Sequence, residues 1–330
     1  MFIGIDLGTS SVKMILIDHN QNILATANSS LTVQSPKDGF NEQNPQEWID
    51  STIDCLQILK QQKPKEFSNT ISLGISGHMH GATLIDKDGN VIRPCILWND
   101  TRSHQECIEF ENQSFDVRSI SGNITMPGFT APKINWIKNN EIDNFKKIFK
   151  VLLPKDYLRF VLTGEFFSEM SDASGTLWLD TQKRKWSNQL LSCSFLEEKH
   201  MPNLVEGNEQ TGFLKKELKE KFNFNNNVKV VGGAGDNAAA ATGMGITNKK
   251  QSFISLGTSG VFFTPTENFL SNTADAVHSF CHCLPNKWHL MSVMLSASNC
   301  LDWICAITNT SISDTLNNIE NFYKDKNSIK

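Results

Sequence analysis

At 330 residues, 39% of them hydrophobic and 20% charged, the chain has the make-up of a folded protein with room for two domains. Thirty-one basic and thirty-five acidic residues leave a formal charge of −4 with no long run of one sign, which excludes charge-driven binding to nucleic acid or a membrane surface. The first apolar run is too short for a secretory leader, no stretch approaches a membrane span, and the eight cysteines lack paired zinc-type spacing. The expectation is a cytoplasmic protein with reduced thiols.

Strand signals open the chain at 2–8, 11–18 and 22–30, with a turn at Asp18-His19-Asn20-Gln21 between the last two. A helix starts after Asn44, carrying Trp48, Ile49, Ile53, Leu56 and Leu59 on one face. Residues 71–75 read as a strand, followed by a hairpin turning at Lys87-Asp88-Gly89-Asn90. Residues 101–225 read as mostly helical decoration, with a helix over 156–162 and a hairpin or loop over 178–186. After a strand at 228–231, the boundary between domains is placed at 235/236. A hairpin over 262–292, a helix over 296–307 and a charged, asparagine-rich tail from 317 complete the chain.

One phrase occurs twice. Leu7-Gly8-Thr9-Ser10-Ser11-Val12 returns as Leu256-Gly257-Thr258-Ser259-Gly260-Val261, each copy between two strand-like runs. Glycine permits close backbone approach, and the amides and hydroxyls behind it can wrap an anion. Gly8, Thr9, Ser10 and Lys13, with Gly257 and Thr258, are therefore candidate phosphate contacts, and the duplication points to phosphoryl transfer between two similar lobes. Asp6, two residues before Gly8, either positions Mg²⁺ through water or caps the turn. Gly232-Gly233-Ala234-Gly235-Asp236-Asn237 runs from a strand into a small-residue helix; Asp236 is either the general base for a substrate hydroxyl or a helix cap. His78 and His80 suit the rim of a polyhydroxylated ligand better than a metal site, although a satisfied loop histidine stays open, for His78 above all. Trp98 and Asn99 offer an indole face and an amide of the kind sugars pack on, while Asp100 serves as a cap or a ligand contact.

Over nearly its whole length the chain resembles the FGGY carbohydrate kinases. The resemblance is carried by residues 3–10, Met79-His80-Gly81, Ile96-Leu97-Trp98-Asn99-Asp100, Met126-Pro127-Gly128-Phe129-Thr130-Ala131-Pro132-Lys133, Leu152-Leu153-Pro154-Lys155-Asp156, Asp236-Asn237, and residues 255–261 and 289–296. It implies an α/β, actin/hexokinase-like fold of two ribonuclease H-like domains: 1–235, with the sugar site and first phosphate loop, and 236–330, an incomplete second domain with the second loop. It further implies ATP and Mg²⁺ as cofactors, and phosphorylation of D-xylulose, or a similar ketose, to D-xylulose 5-phosphate. Asp236 would be the base, Asp6 would place metal and phosphate, Met79 and His80 would touch the sugar, and Trp98 and Asn99 would line its pocket. The phosphates would face Gly8, Thr9, Ser10, Gly257 and Thr258. Two departures stand out: His78 occupies a position where such kinases usually have Gln, and the family's adenosine-binding loop would lie past residue 330. The alternative expectation is accordingly a non-catalytic remnant that binds sugar and not ATP. An open second-lobe edge leaves room for a homodimer or for a separately encoded C-terminal half.

Overall fold

The computed structural model describes residues 1–257 and 259–325. Strand β1 (Phe2–Leu7) alternates strictly: Ile3, Ile5 and Leu7 are buried, while Gly4 and Asp6 occupy the other face. It pairs antiparallel with β2 (Ser11–Ile17), which pairs with β3 (Ile23–Ser30), and its free edge runs parallel to β4 (Ser72–Gly77). Farther out come β5 (Gln210–Phe213) and β6 (Lys229–Val231), giving the order β5-β6-β4-β1-β2-β3; β7 (Ala234–Gly235) pairs with the end of β4. The expected opening strands are thus met to within a residue or two.

Helix α1 (Pro45–Gln62) covers the apolar face of this sheet. Its start follows from sequence: the Asn44 side chain accepts the Gln46 amide and Pro45 opens the first turn. Trp48, Cys55, Leu56 and Leu59 join Ile3, Ile5, Leu7, Leu73 and Ile75 in one core. Two further helices, α2 (Thr130–Asn140) and α3 (Pro154–Thr163), belong to the long middle segment, and α3 closes the same core with Leu158 and Leu162.

The middle segment is less helical than expected. Phe167–Glu169 pairs in parallel with Asn203–Val205, and Leu179–Asp180 forms a hairpin with Lys185–Trp186. The expected hairpin around Gly89 is present in short form: Ile85 bridges Val91 antiparallel, the Ile92 amide donates to Leu84 O at 2.9 Å, and the Asp86 carboxylate accepts the Asp88 and Asn90 amides. Thr83–Ile85 also pairs antiparallel with the distant Lys150–Leu152.

Helix α4 (Asp236–Gly243) leads to a second, four-stranded sheet of β8 (Phe253–Leu256), β9 (Gly260–Thr266), β10 (His278–Cys281) and β11 (Trp288–Met294), in the order β8-β9-β11-β10. Phe263, Phe280 and Met291 share a core with Phe129, Ile134 and Trp178 of the middle segment. The second sheet is therefore welded to the first two-thirds of the chain. Helices α5 (Ser298–Thr308) and α6 (Ile312–Asp325) follow. The tail expected from residue 317 is helical in its described part, because Ile312, Leu316, Ile319 and Tyr323 recur at helical spacing despite the asparagines. Among the described residues, no helix is long and apolar enough to cross a membrane.

Candidate active site

The site grows from the ends of parallel strands. Asp6 lies on the face of β1 turned away from the core, in register with Ser76 of β4 and Lys13 of β2. Ser76 Oγ donates to Asp6 Oδ1 at 2.9 Å; the other carboxylate oxygen has no hydrogen-bond partner among the described residues. Gly4 and Gly74 on the same face help leave a cavity of about 500 Å³, lined by Asp6, Lys13 and Ser76 among others.

The first loop is tightly laced. The Gly8 amide donates to Ser11 O at 3.0 Å and Leu31 donates to Ser10 O at 2.9 Å. The Thr9 carbonyl accepts from Gln43 Nε2 at 2.6 Å, and Thr9 Oγ1 accepts from the Trp98 indole at 2.9 Å. Gln43 is in turn held by Trp48 Nε1 at 3.1 Å. Thr9 and Trp98, expected on nucleotide and sugar respectively, are thus directly bonded to each other. In the second copy Gly257 is exposed; its amide donates to Ser259 O at 2.9 Å and its carbonyl accepts from Ser298. Gly257 lines neither described cavity, and Thr258 lies outside the described residues.

Asp236 begins helix α4 at the end of β7, whose Ala234 and Gly235 pair with Ser76 and Gly77. The preceding turn needs glycine at 233, where φ is +74° and a Cβ would run into the Ile75 backbone. The N-cap of this helix is Gly235, with Asp236 as its first residue; among the described residues Asp236 Oδ1 accepts the Asn237 amide (2.6 Å) and Asn237 Nδ2 (2.8 Å). With Asp6, Ser76 and Asn237 it lines a cavity of about 420 Å³. Burial pushes the Asp236 carboxyl up to about 6, and the neighbouring Asp6 charge adds to this against the pull of the Asn237 donors. A carboxylate poised near neutrality can take a proton from an alcohol.

Behind Asp236 sits a buried charge cluster that sequence reading missed. Glu169 Oε1 accepts the Gly235 amide at 3.1 Å, the Asp172 amide at 2.9 Å and Ser171 Oγ at 2.7 Å. Lys155 Nζ lies 2.8 Å from Asp156, 3.3 Å from Asp172 and 3.6 Å from Glu169. Burial disfavours the Lys155 ammonium, but these carboxylates outweigh it and hold its affinity for protons above normal. Burial keeps Asp172 well above the usual carboxylate range. Arg159 completes the cluster, bonding Asp156 and the Gly232 carbonyl. The residue preceding the candidate base is thereby fixed by groups with no access to solvent.

The expected sugar rim divides into parts. Met79 is buried against Gly235, where a Cβ would lie 3.0 Å from its Cγ and Sδ. His80 is half-buried, with Nδ1 2.7 Å from the Gly175 carbonyl. Trp98 is half-buried and Asn99 exposed. His78 is a core residue and not part of a rim: it is 2% exposed, lies edge-on to Trp48 at 5.7 Å, and burial pushes its imidazole down to about 3. Asp100 does not cap the helix that follows (His104–Glu111), whose N-cap is Ser103, but it accepts the Arg102 amide at 2.9 Å. Arg102 grips it with Nε and Nη2 at 2.8–3.0 Å, and it accepts the Asn41 amide at 2.6 Å.

Residues 1–243 match the model of the FGGY family of carbohydrate kinases, N-terminal domain, and the chain belongs to that family. Its mixed α/β, actin/hexokinase-like architecture agrees with this. Among particular proteins, the chain is 50% identical over 311 residues to a xylulose kinase of Escherichia coli, which covers 94% of this chain and 64% of the relative. It is 38% identical over 302 residues to a xylulose kinase of Bacillus subtilis, covering 91% and 60%. A solved "xyloylose kinase" of Brucella ovis superposes with a TM-score of 0.92 at 49% identity, over 94% of this chain and 64% of that one. The chain therefore spans somewhat less than two thirds of the length of these relatives.

Proposed function

We propose that this chain carries the ketose site and proton acceptor of an ATP-dependent kinase that converts D-xylulose to D-xylulose 5-phosphate. The observation that carries this reading is the cavity shared by Asp6 and Asp236, in which one carboxyl is raised to about 6. The names and identity of the relatives support the substrate.

The residues suit a magnesium nucleotide. Asp6 keeps one oxygen unpartnered beside the cavity that Lys13 also lines, while Gly8, Thr9 and Ser10, which line neither cavity, follow the strand end and would supply amides and hydroxyls. When bound, the nucleotide supplies the phosphoryl group and the metal neutralises its charge. Asp236 would accept the proton of the terminal ketose hydroxyl as that oxygen attacks the γ-phosphorus and the bond from that phosphorus to the β-phosphate oxygen breaks, leaving ADP. Glu169 and Ser171 hold the Gly235 amide, so the base stays in place during the transfer. Met79, His80, Trp98 and Asn99 orient the sugar.

A coupled ADP-release assay with and without D-xylulose tests the reading. ADP release that requires the ketose and disappears in Asp236→Asn, with ketose binding retained, is expected. Unchanged turnover in that variant overturns the role of Asp236. Release indifferent to the ketose makes the chain a plain ATPase, and ketose binding without release makes it a sugar-binding protein.

A further inference from the structure

Lys133, in the first turn of α2, is fully buried, and burial pushes its amine down to about 7. Its Nζ donates to two backbone carbonyls, His80 O at 2.9 Å and Gly128 O at 2.7 Å. Thr130 Oγ1 donates to the same His80 carbonyl at 3.1 Å. His80 needs such restraint, since its φ of +69° lies in the left-handed region that residues with a Cβ avoid.

The His80 ring is fixed as well. A carbonyl only accepts, so the Nδ1 bonded to Gly175 O carries the proton and Nε2 is left as an acceptor, with no partner among the described residues. Burial holds this imidazole at about 3, which keeps it neutral. Gly175 has to be glycine, because a Cβ there would come 2.6 Å from His80 Nδ1.

The second carbonyl on Lys133 belongs to the other half of the candidate rim. Gly128 lies against the Trp98 backbone so closely that a Cβ would stand 2.5 Å from Trp98 O. One buried amine thus joins the backbone of His80 to a residue in contact with Trp98, although the two segments are far apart in sequence.

We propose that Lys133 is a positioning residue for the ketose site, stapling the His80 segment to the Trp98 segment so that His80 Nε2 and the indole stand at a set distance for a polyhydroxylated ligand. This rests on the ketose reading above. Lys133→Met keeps length and apolar packing but removes both donated bonds. Isothermal titration calorimetry of the full chain with D-xylulose should show affinity lowered by about tenfold or more. Imidazole ¹⁵N shifts supply a readout that loose packing alone does not move. In the unaltered chain, ketose shifts His80 Nε2 while Nδ1 stays protonated; in Lys133→Met the single tautomer is lost. Thr130→Val should act in the same direction with a smaller loss, and it decides the matter if Lys133→Met does not fold. A folded Lys133→Met, or in its place Thr130→Val, with wild-type affinity and tautomer overturns the inference. Absence of D-xylulose binding by the unaltered chain sinks the ketose reading and this inference with it.

Discussion

The two copies of the Leu-Gly-Thr-Ser phrase meet different fates. In the first, Leu7 pairs with Val12 and the Gly8 amide reaches Ser11 O; in the second, Leu256 pairs with Gly260 and the Gly257 amide reaches Ser259 O, one residue sooner. Gly260 stands where the first copy has Ser11, and Ser255 where it has Asp6. The surroundings differ more. β1 lies between β2 and the parallel β4, and its Ile5 is 2% exposed; β8 has β9 as its described partner, and its Ile254 is 66% exposed. A strand–turn–strand phrase encodes a hairpin locally, whereas burial comes from what is built around it and the acidic group from the residue that precedes it.

The largest expected effect tests whether chemistry resides with the first copy. Asp236→Asn should lower turnover by about 10²- to 10⁴-fold with ketose affinity nearly unchanged, measured by ADP release and calorimetry. Asp6→Ser, which gives the first copy the residue of the second, should cost about 10²- to 10³-fold in turnover, with a weakened response to magnesium. Turnover unaffected by Asp6→Ser would show the two copies to be chemically equivalent.

Burial is compared by unfolding in urea. Ile5→Ala should destabilise by about 2–5 kcal/mol, and Ile254→Ala by about 0.5 kcal/mol or less. Equal losses at both positions would break the contrast.

The pH dependence is a smaller effect. Because burial pushes the Asp236 carboxyl up to about 6, above the usual carboxylate range, its base form and hence kcat/KM should fall as pH drops through 6. The folded state binds this proton more tightly than the unfolded chain, so the contribution to stability is present below about 4 and is lost as pH rises through 6. Thermal melts should therefore find Asp236→Asn more stable than the parent at pH 8, an advantage absent at acid pH.

Trp98→Phe, which removes the bond to Thr9 Oγ1, should cost about 1 kcal/mol in urea unfolding.

Much of the first lobe was legible because its signals are local. Alternation at Ile3, Ile5 and Leu7, the Asn44-Pro45 start and the glycines before Asp236 each specify their own backbone. Lys155, Glu169 and Asp172 were not legible, since charged residues in a helical stretch read as a solvated face until distant strands bury them. Gln43 and Lys133 were missed because each reaches a backbone carbonyl distant in sequence, Thr9 O and His80 O. His78 read as part of a rim from its place beside Met79 and His80, yet it follows directly on the end of β4 and is buried against Trp48.

The pairing of Ala234 and Gly235 with Ser76 and Gly77 has a mechanical consequence. Asp236 and the His78-Met79-His80 run both leave this sheet within a few residues of those paired ends. On the proposed reading, the alcohol and the group that deprotonates it ride on a single rigid body. The acceptor's proton-transfer geometry is then set in advance, before any phosphate donor arrives.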